Sequence, residues 1–295
     1  MCRPVPVDVG KSPSSSLPGP AAGITASWQL LPAAPAPPPA VGAGEGQTPV
    51  EPVPLRCWLA LPAQRPPRAG VLVLPEVFGI NGWVRSVAER LAVEGYAALA
   101  VPLFARTAPE LELGYDEASL QLGRSHKERT RTPELLADLS HAAGWLAARL
   151  GRPSAPLGCV GFCFGGHVAM LAASLPCVEA TCDFYGAGVA SGRPGGTEPT
   201  LAVVPGIGGR LLCFCGDRDP LIPEVDVQAI EAALAAAPQP ERHRLIRVPG
   251  AGHGYLCEAR ADFQPEAAAQ AWRTMLAFFA EALGDAEGLA QVRAG

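Results

Sequence analysis

Gly161-Phe162-Cys163-Phe164-Gly165-Gly166 is the stretch on which the reading of this chain turns. It closes a short continuous apolar run, Leu157 to Phe162, which reads as a strand buried on both faces. It opens Gly165 to Ser174, which reads as a helix. A nucleophile placed between such a strand and such a helix sits on a sharp, strained turn. Small residues two before and two after Cys163 let the backbones pass closely. The helix N-terminus adds backbone N–H groups and the positive end of a dipole, and both favour a thiolate and a developing oxyanion. Alone, the stretch is equally a Gly-rich turn around a buried cysteine. Its context has to decide.

Outward from that turn the pattern is regular. Gly70 to Leu74 is a second apolar run, and Ala97 to Val101 a third. Glu179 to Phe184, Arg210 to Cys215 and His243 to Val248 read as further strands. Between them lie helical spacings. Asn81 to Glu94 repeats apolar residues at Trp83, Val84, Val87 and Leu91. Pro133 to Leu150 has Thr132 as N-cap and Pro133 at the first helical position. Glu224 to Ala237 and Pro265 to Leu283 complete the set. Strands alternating with helices imply an α/β domain, with a mostly parallel central sheet covered on both faces. Functional groups in such sheets collect at the C-terminal ends of the strands. Ile24 to Leu31 and Leu55 to Leu61 read as a hairpin at one edge, joined by the Pro/Gly-rich loop 32–54. Residues 1–23 are Pro, Ser and Gly with little to bury and read as a disordered extension. The single domain then spans 24–284, with 285–295 as a tail.

Composition narrows the class. The chain has 295 residues, enough for one large domain with a sizeable core. Gly and Pro, at 33 and 32 residues, are unevenly spread, and sixteen of the prolines precede residue 68. The formal charge is −5 and the basic residues form no dense run, so nucleic acid is not the expected partner. No apolar run reaches a membrane span, and the N-terminus has no stretch of signal-peptide type, so the expected address is cytoplasmic. Nine cysteines form no disulfide framework and no Cys-x-x-Cys pair. Cys213-x-Cys215 would need two more ligands for a metal, and none is expected. Cys57, Cys159, Cys177, Cys182 and Cys213 lie in apolar runs and read as small core hydrophobes.

Two more stretches carry chemistry. Gly216-Asp217-Arg218-Asp219-Pro220 comes after one late strand, and Gly250-Ala251-Gly252-His253-Gly254 after the next. A lone turn aspartate is ordinarily a turn former. A nucleophile, an acid and a histidine in that order, each at the end of a strand, is the arrangement of a catalytic triad.

These residues resemble the dienelactone hydrolases, a branch of the α/β-hydrolase superfamily, from about Leu55 to Leu283. The resemblance rests on Pro75-Glu76-Val77-Phe78-Gly79-Ile80-Asn81, Phe104-Ala105-Arg106, the cysteine turn, Tyr185-Gly186, Gly216-Asp217-Arg218-Asp219 and Gly252-His253-Gly254-Tyr255. It implies Cys163 as nucleophile, His253 as general base and then acid, and Asp219 as the group orienting the imidazole. Asp217 is the alternative to Asp219. Phe164 and Val77 would lend backbone N–H groups to an oxyanion hole. Glu76 would contact the resting thiol and help form the thiolate. Arg106 would anchor a substrate carboxylate, with Tyr185 also lining the site. Best-known members carry a second anchoring arginine four residues after the histidine. That position is Cys257 here, and Arg260 is the nearest replacement. His167, one turn into the helix, has no evident role and is expected to pack or meet solvent.

The expected activity is hydrolysis of a small, carboxylate-bearing ester or lactone through a Cys163 acyl-enzyme, without metal or organic cofactor. The molecule would be a monomer or weak homodimer with no membrane partner. The alternatives are a thiol esterase acting on an uncharged ester and a non-catalytic binding protein of the same fold.

Overall fold

The computed structural model describes residues 23–34, 50–151, 153 and 155–284. The expectations for residues 1–22, 35–49 and 285–295 lie outside the described residues. In chain order the elements are β1 (Ile24–Leu31), β2 (Leu55–Pro62), β3 (Gly70–Leu74), α1 (Gly82–Val93), β4 (Ala97–Ala100), α2 (Glu117–Lys127), α3 (Thr132–Arg149), β5 (Leu157–Phe162), α4 (Phe164–Ala172), β6 (Val178–Phe184), β7 (Arg210–Gly216), α5 (Glu224–Ala235), β8 (His243–Val248) and α6 (Pro265–Ala282).

The strands form one sheet in the order β1-β2-β4-β3-β5-β6-β7-β8. The β1–β2 hairpin and the β2–β4 pair are antiparallel, and every other pairing is parallel. Side-chain alternation builds two cores from the same strands. On β3, Val71 and Val73 face the core shared with α1 and α6, whereas Leu72 and Leu74 face the core shared with α3 and α4. Residues Ala97 to Ala100 of β4 divide the same way. This is why β3 and β4 are apolar without interruption: both of their faces are covered. Strand β6 departs from this, with Thr181 and Asp183 buried among its apolar residues. At the outer edge Trp28 and Trp58 are cross-strand partners with ring centroids 5.2 Å apart, and the Arg56 guanidinium lies 3.5 Å from the Trp28 centroid.

Helix ends obey local chemistry. Asn81 caps α1, its side-chain oxygen accepting the Val84 N–H at 3.2 Å, while its amide donates to the Leu113 carbonyl at 3.1 Å. Thr132 does not cap α3. It is the first helical residue, the cap is Arg131 without a side-chain bond, and the Thr132 hydroxyl donates to the Pro194 carbonyl at 2.9 Å. Helix α2 has no counterpart in the sequence pattern. Its apolar spacing is thin, and only the Asp116 cap on the Ser119 N–H marks its start.

Asn81 therefore serves two segments at once. Asn81→Ala is expected to cost about 1 kcal/mol from the lost cap, and more from the stranded Leu113 carbonyl. A lower denaturant midpoint at unchanged slope would establish this, and an unshifted midpoint would remove Asn81 from the account.

Candidate active site

Five loops at the C-terminal ends of adjacent parallel strands supply the site. Glu76 and Val77 come after β3, Cys163 after β5, Tyr185 after β6, Asp219 after β7 and His253 after β8. The fold thus brings together residues separated by as much as 177 positions of sequence, from Glu76 to His253.

The Cys163 turn is fixed by contact. Cys163 adopts φ 54° and ψ −116°, a conformation costly for a residue with a side chain. Its N–H donates to the Phe184 carbonyl at 3.0 Å, and its carbonyl accepts the His167 N–H at 3.1 Å. A Cβ on Gly161 would stand 1.9 Å from the Gly165 carbonyl oxygen, and one on Gly165 2.2 Å from that of Leu74. Both positions exclude any side chain. The Val77 amide donates no backbone hydrogen bond among the described residues, and the Phe164 amide opens α4, where the first N–H groups have no partner within the helix.

His253 and Asp219 are both buried. His253 Nδ1 lies 2.8 Å from Asp219 Oδ2, and Asp219 Oδ1 accepts the Leu221 N–H at 2.8 Å. Asp217 instead accepts the Gly250 N–H at 2.6 Å and joins the two loops. The geometry therefore favours Asp219. Burial alone pulls the His253 imidazolium down. Cys163 and then Asp219 outweigh it, and His253 is pushed up to about 10. His253 Nε2 has no hydrogen-bond partner among the described residues. The loop beyond it is pinned to α1: Glu258 accepts from Trp83 Nε1 at 2.6 Å and from Arg90 at 3.0 Å.

Glu76 is fully buried. Its hydrogen-bond partner is Arg260 and not the thiol: Arg260 donates to Oε1 at 2.9 Å, and Oε2 is unpartnered among the described residues. Burial pushes the Glu76 carboxyl up, against the pull of Arg260 and His253. Gly254 makes room for this pair. It has φ 82°, and a Cβ there would stand 2.6 Å from the Arg260 guanidinium carbon. Tyr185, at φ 44°, is buried with its ring 5.2 Å from His253.

Arg106 is not brought to this group. Its guanidinium forks onto Asp138 of α3 and also donates to the Glu51 carbonyl. Bidentate charge-assisted bonds of this kind are strong, and this part-buried pair engages Arg106 with α3. Tyr115 joins the site without a sequence signal. Its hydroxyl faces Glu76 and Cys257, and no apolar pattern around Gly114-Tyr115-Asp116 announces it. His167 does pack. Its Nδ1 lies 2.9 Å from the Ala187 carbonyl and its Nε2 2.7 Å from the Thr200 hydroxyl, locking α4 to the loop after β6.

Several known proteins are similar to this chain. A family model described as the dienelactone hydrolase family matches residues 55–283. A protein of Synechocystis named a carboxymethylenebutenolidase is 40% identical over 209 residues, covering 71% of this chain and 84% of its own. A protein of Escherichia coli K12 with the same name is 30% identical over 210 residues, 71% and 75% of the two chains. A crystal structure from Klebsiella pneumoniae, described as a dienelactone hydrolase, superposes with a TM-score of 0.71 at 27% identity, covering 88% of this chain and 99% of that one.

Burial pulls His167 down to about 4. The unfolded chain binds this proton near 6.5 and the folded chain only near 4, so stability falls as pH drops through that window, by about 3 kcal/mol in all. His167→Gln should flatten the pH dependence of the unfolding free energy between pH 6.5 and 4. Parallel wild-type and variant curves would contradict this.

Proposed function

We propose, from the premise that the chain belongs to the dienelactone hydrolase family of α/β-hydrolases, that it cleaves a small carboxylate-bearing ester or lactone through an acyl-enzyme on Cys163. The observation that carries this reading is the His253 ring. Asp219 fixes its Nδ1 side, and its charged form, disfavoured by burial, gains more from Cys163 and then from Asp219. An imidazole held that way beside a thiol on a strained turn is the arrangement of thiol acyl transfer.

In this reading Glu76 accepts the thiol proton through its unpartnered Oε2, and the thiolate stands opposite the His253 imidazolium. The thiolate attacks the ester carbon. The Val77 and Phe164 N–H groups hold the oxyanion, worth about 3 kcal/mol per donor in comparable sites. The C–O bond breaks and His253 gives its proton to the leaving oxygen. Neutral His253 then takes a proton from water, whose oxygen displaces the thiolate and releases the acid. Glu76 returns the proton to sulfur. The cycle consumes one water and balances without any other reactant.

The relatives' name points to a lactone carrying a carboxymethylene group, and that is the substrate class proposed for this chain. One observation favours a second reading. Both expected arginine anchors face protein carboxylates already, which suits an uncharged ester.

Turnover of 4-carboxymethylenebut-2-en-4-olide and of its methyl ester separates these readings. The expected result is turnover that favours the free acid and falls about 1,000-fold or more in Cys163→Ala. Among the cysteines of the described residues, iodoacetamide should label Cys163 first, because burial holds its competitors' thiols up, Cys257 for instance to about 12. Full activity in Cys163→Ala would end the mechanism. Preference for the methyl ester would select the second reading.

A further inference from the structure

Arg106 and Arg260 are each matched with a protein carboxylate, yet another cation lies against the nucleophile turn. Lys127 Nζ is 5.6 Å from the centroid of the Phe164 ring, and Phe164 is the residue directly after Cys163. That distance is within cation–π reach. A tight approach carries it there. A Cβ on Gly123 would stand 2.3 Å from the Val77 carbonyl oxygen, so α2 presses on the loop after β3 with no side chain between. Gly123 and Lys127 are one turn apart and share the inward face of α2. One helix therefore seats on Val77 and covers Phe164, the two residues whose amides would hold the oxyanion.

Lys127 is partly buried, and it forms no ion pair among the described residues. Basic residues do suit the negative C-terminal end of a helix, and Arg124 serves that end from the solvent side. Lys127 instead turns inward, where an ammonium loses hydration and ordinarily meets a carboxylate. The ring of Phe164 compensates only partly. The exposed Arg124 and Arg129 at the same helix end outnumber the exposed Glu128, so the local potential around Lys127 is positive on a chain of net charge −5.

We propose that Lys127 receives the anionic group of the substrate, selecting esters or lactones whose carboxylate extends over the Phe164 ring while the carbonyl is held at Cys163. This rests on the reading of Cys163 as nucleophile toward a carboxylate-bearing ester. An ammonium on a flexible stem can track a carboxylate that arrives and leaves, and a charge-assisted bond of this kind supports discrimination of about tenfold or more.

The test compares kcat/KM for 4-carboxymethylenebut-2-en-4-olide with that for its methyl ester in wild type, Lys127→Met and Lys127→Arg. Methionine keeps a stem over Phe164 and removes the charge. The expected result is a fall of about tenfold or more in the acid-to-ester ratio for Lys127→Met, seen mainly in KM, with most of it restored by arginine. The salt sensitivity of the acid's kcat/KM should weaken in the same variant. If wild type prefers the acid and Lys127→Met keeps that preference, Lys127 is not the anchor and the substrate class stands. If wild type prefers the methyl ester, the carboxylate-bearing substrate class and the Lys127 anchor fall together, and the uncharged-ester reading of the Cys163 site stands. Circular dichroism of each variant guards against misfolding, and Lys127→Gln replaces methionine if that variant does not fold.

Discussion

The structure depends on how closely β5, α4 and the loop after β3 approach one another around Cys163. With 1.9 Å between a would-be Gly161 Cβ and the Gly165 carbonyl oxygen, the crossing excludes any side chain. Glycine is normally a cost in regular structure, because the unfolded chain loses more freedom there. Here the cost is accepted at two positions to place one cysteine at positive φ, at the tip of a buried strand. The strain at Cys163 is held by packing on every side: the Phe184 carbonyl takes its N–H, and α4 is locked through His167 to the loop after β6. Rigidity at the nucleophile is thus a property of the core.

The charges are arranged by the same logic. A buried carboxylate is expensive unless paired, and the pairs here differ in purpose. Asp219 has both oxygens engaged, one by His253 and one by the Leu221 N–H, so it is fixed. Glu76 has one oxygen engaged and one unpartnered, and burial raises its affinity for a proton. The first arrangement suits a group that holds an imidazole in one orientation. The second suits a group that gains and loses a proton during turnover. Their environments separate two carboxylates that the sequence presents as similar loop residues.

Much of this could be read from sequence, for a physical reason. Strands buried on both faces must be apolar throughout, so Gly70–Leu74 and Leu157–Phe162 stand out, and a site loop lies directly after each of them. Cys163 and Asp219 take their place from that local rule, whereas His253 follows the edge strand β8, whose Arg244 and Arg247 are exposed. Pairings across the fold obey no local rule. Nothing near Arg106 says that Asp138, 32 residues on, will take its guanidinium. Nothing near Glu76 says that Arg260, 184 residues on, and not the thiol, will be its partner. Helix α2 leaves no periodic mark because it packs by closeness at Gly123, not by a stripe of large apolar residues.

The division of labour among the cations comes from their chemistry. Guanidinium is planar, always charged and geometrically matched to carboxylate, so a part-buried arginine that meets a buried carboxylate is well held by it. Arg106 braces α3 and Arg260 holds Glu76, and releasing either would strand a charge inside the protein. Ammonium is a point charge on a flexible stem with no fixed fork. It tolerates a partner that comes and goes, and while waiting it can rest on an aromatic face. In a chain whose basic residues are almost all arginine, the lysine on the inward face of α2 is therefore the cation suited to a transient anion, and it lies over the residue next to the nucleophile.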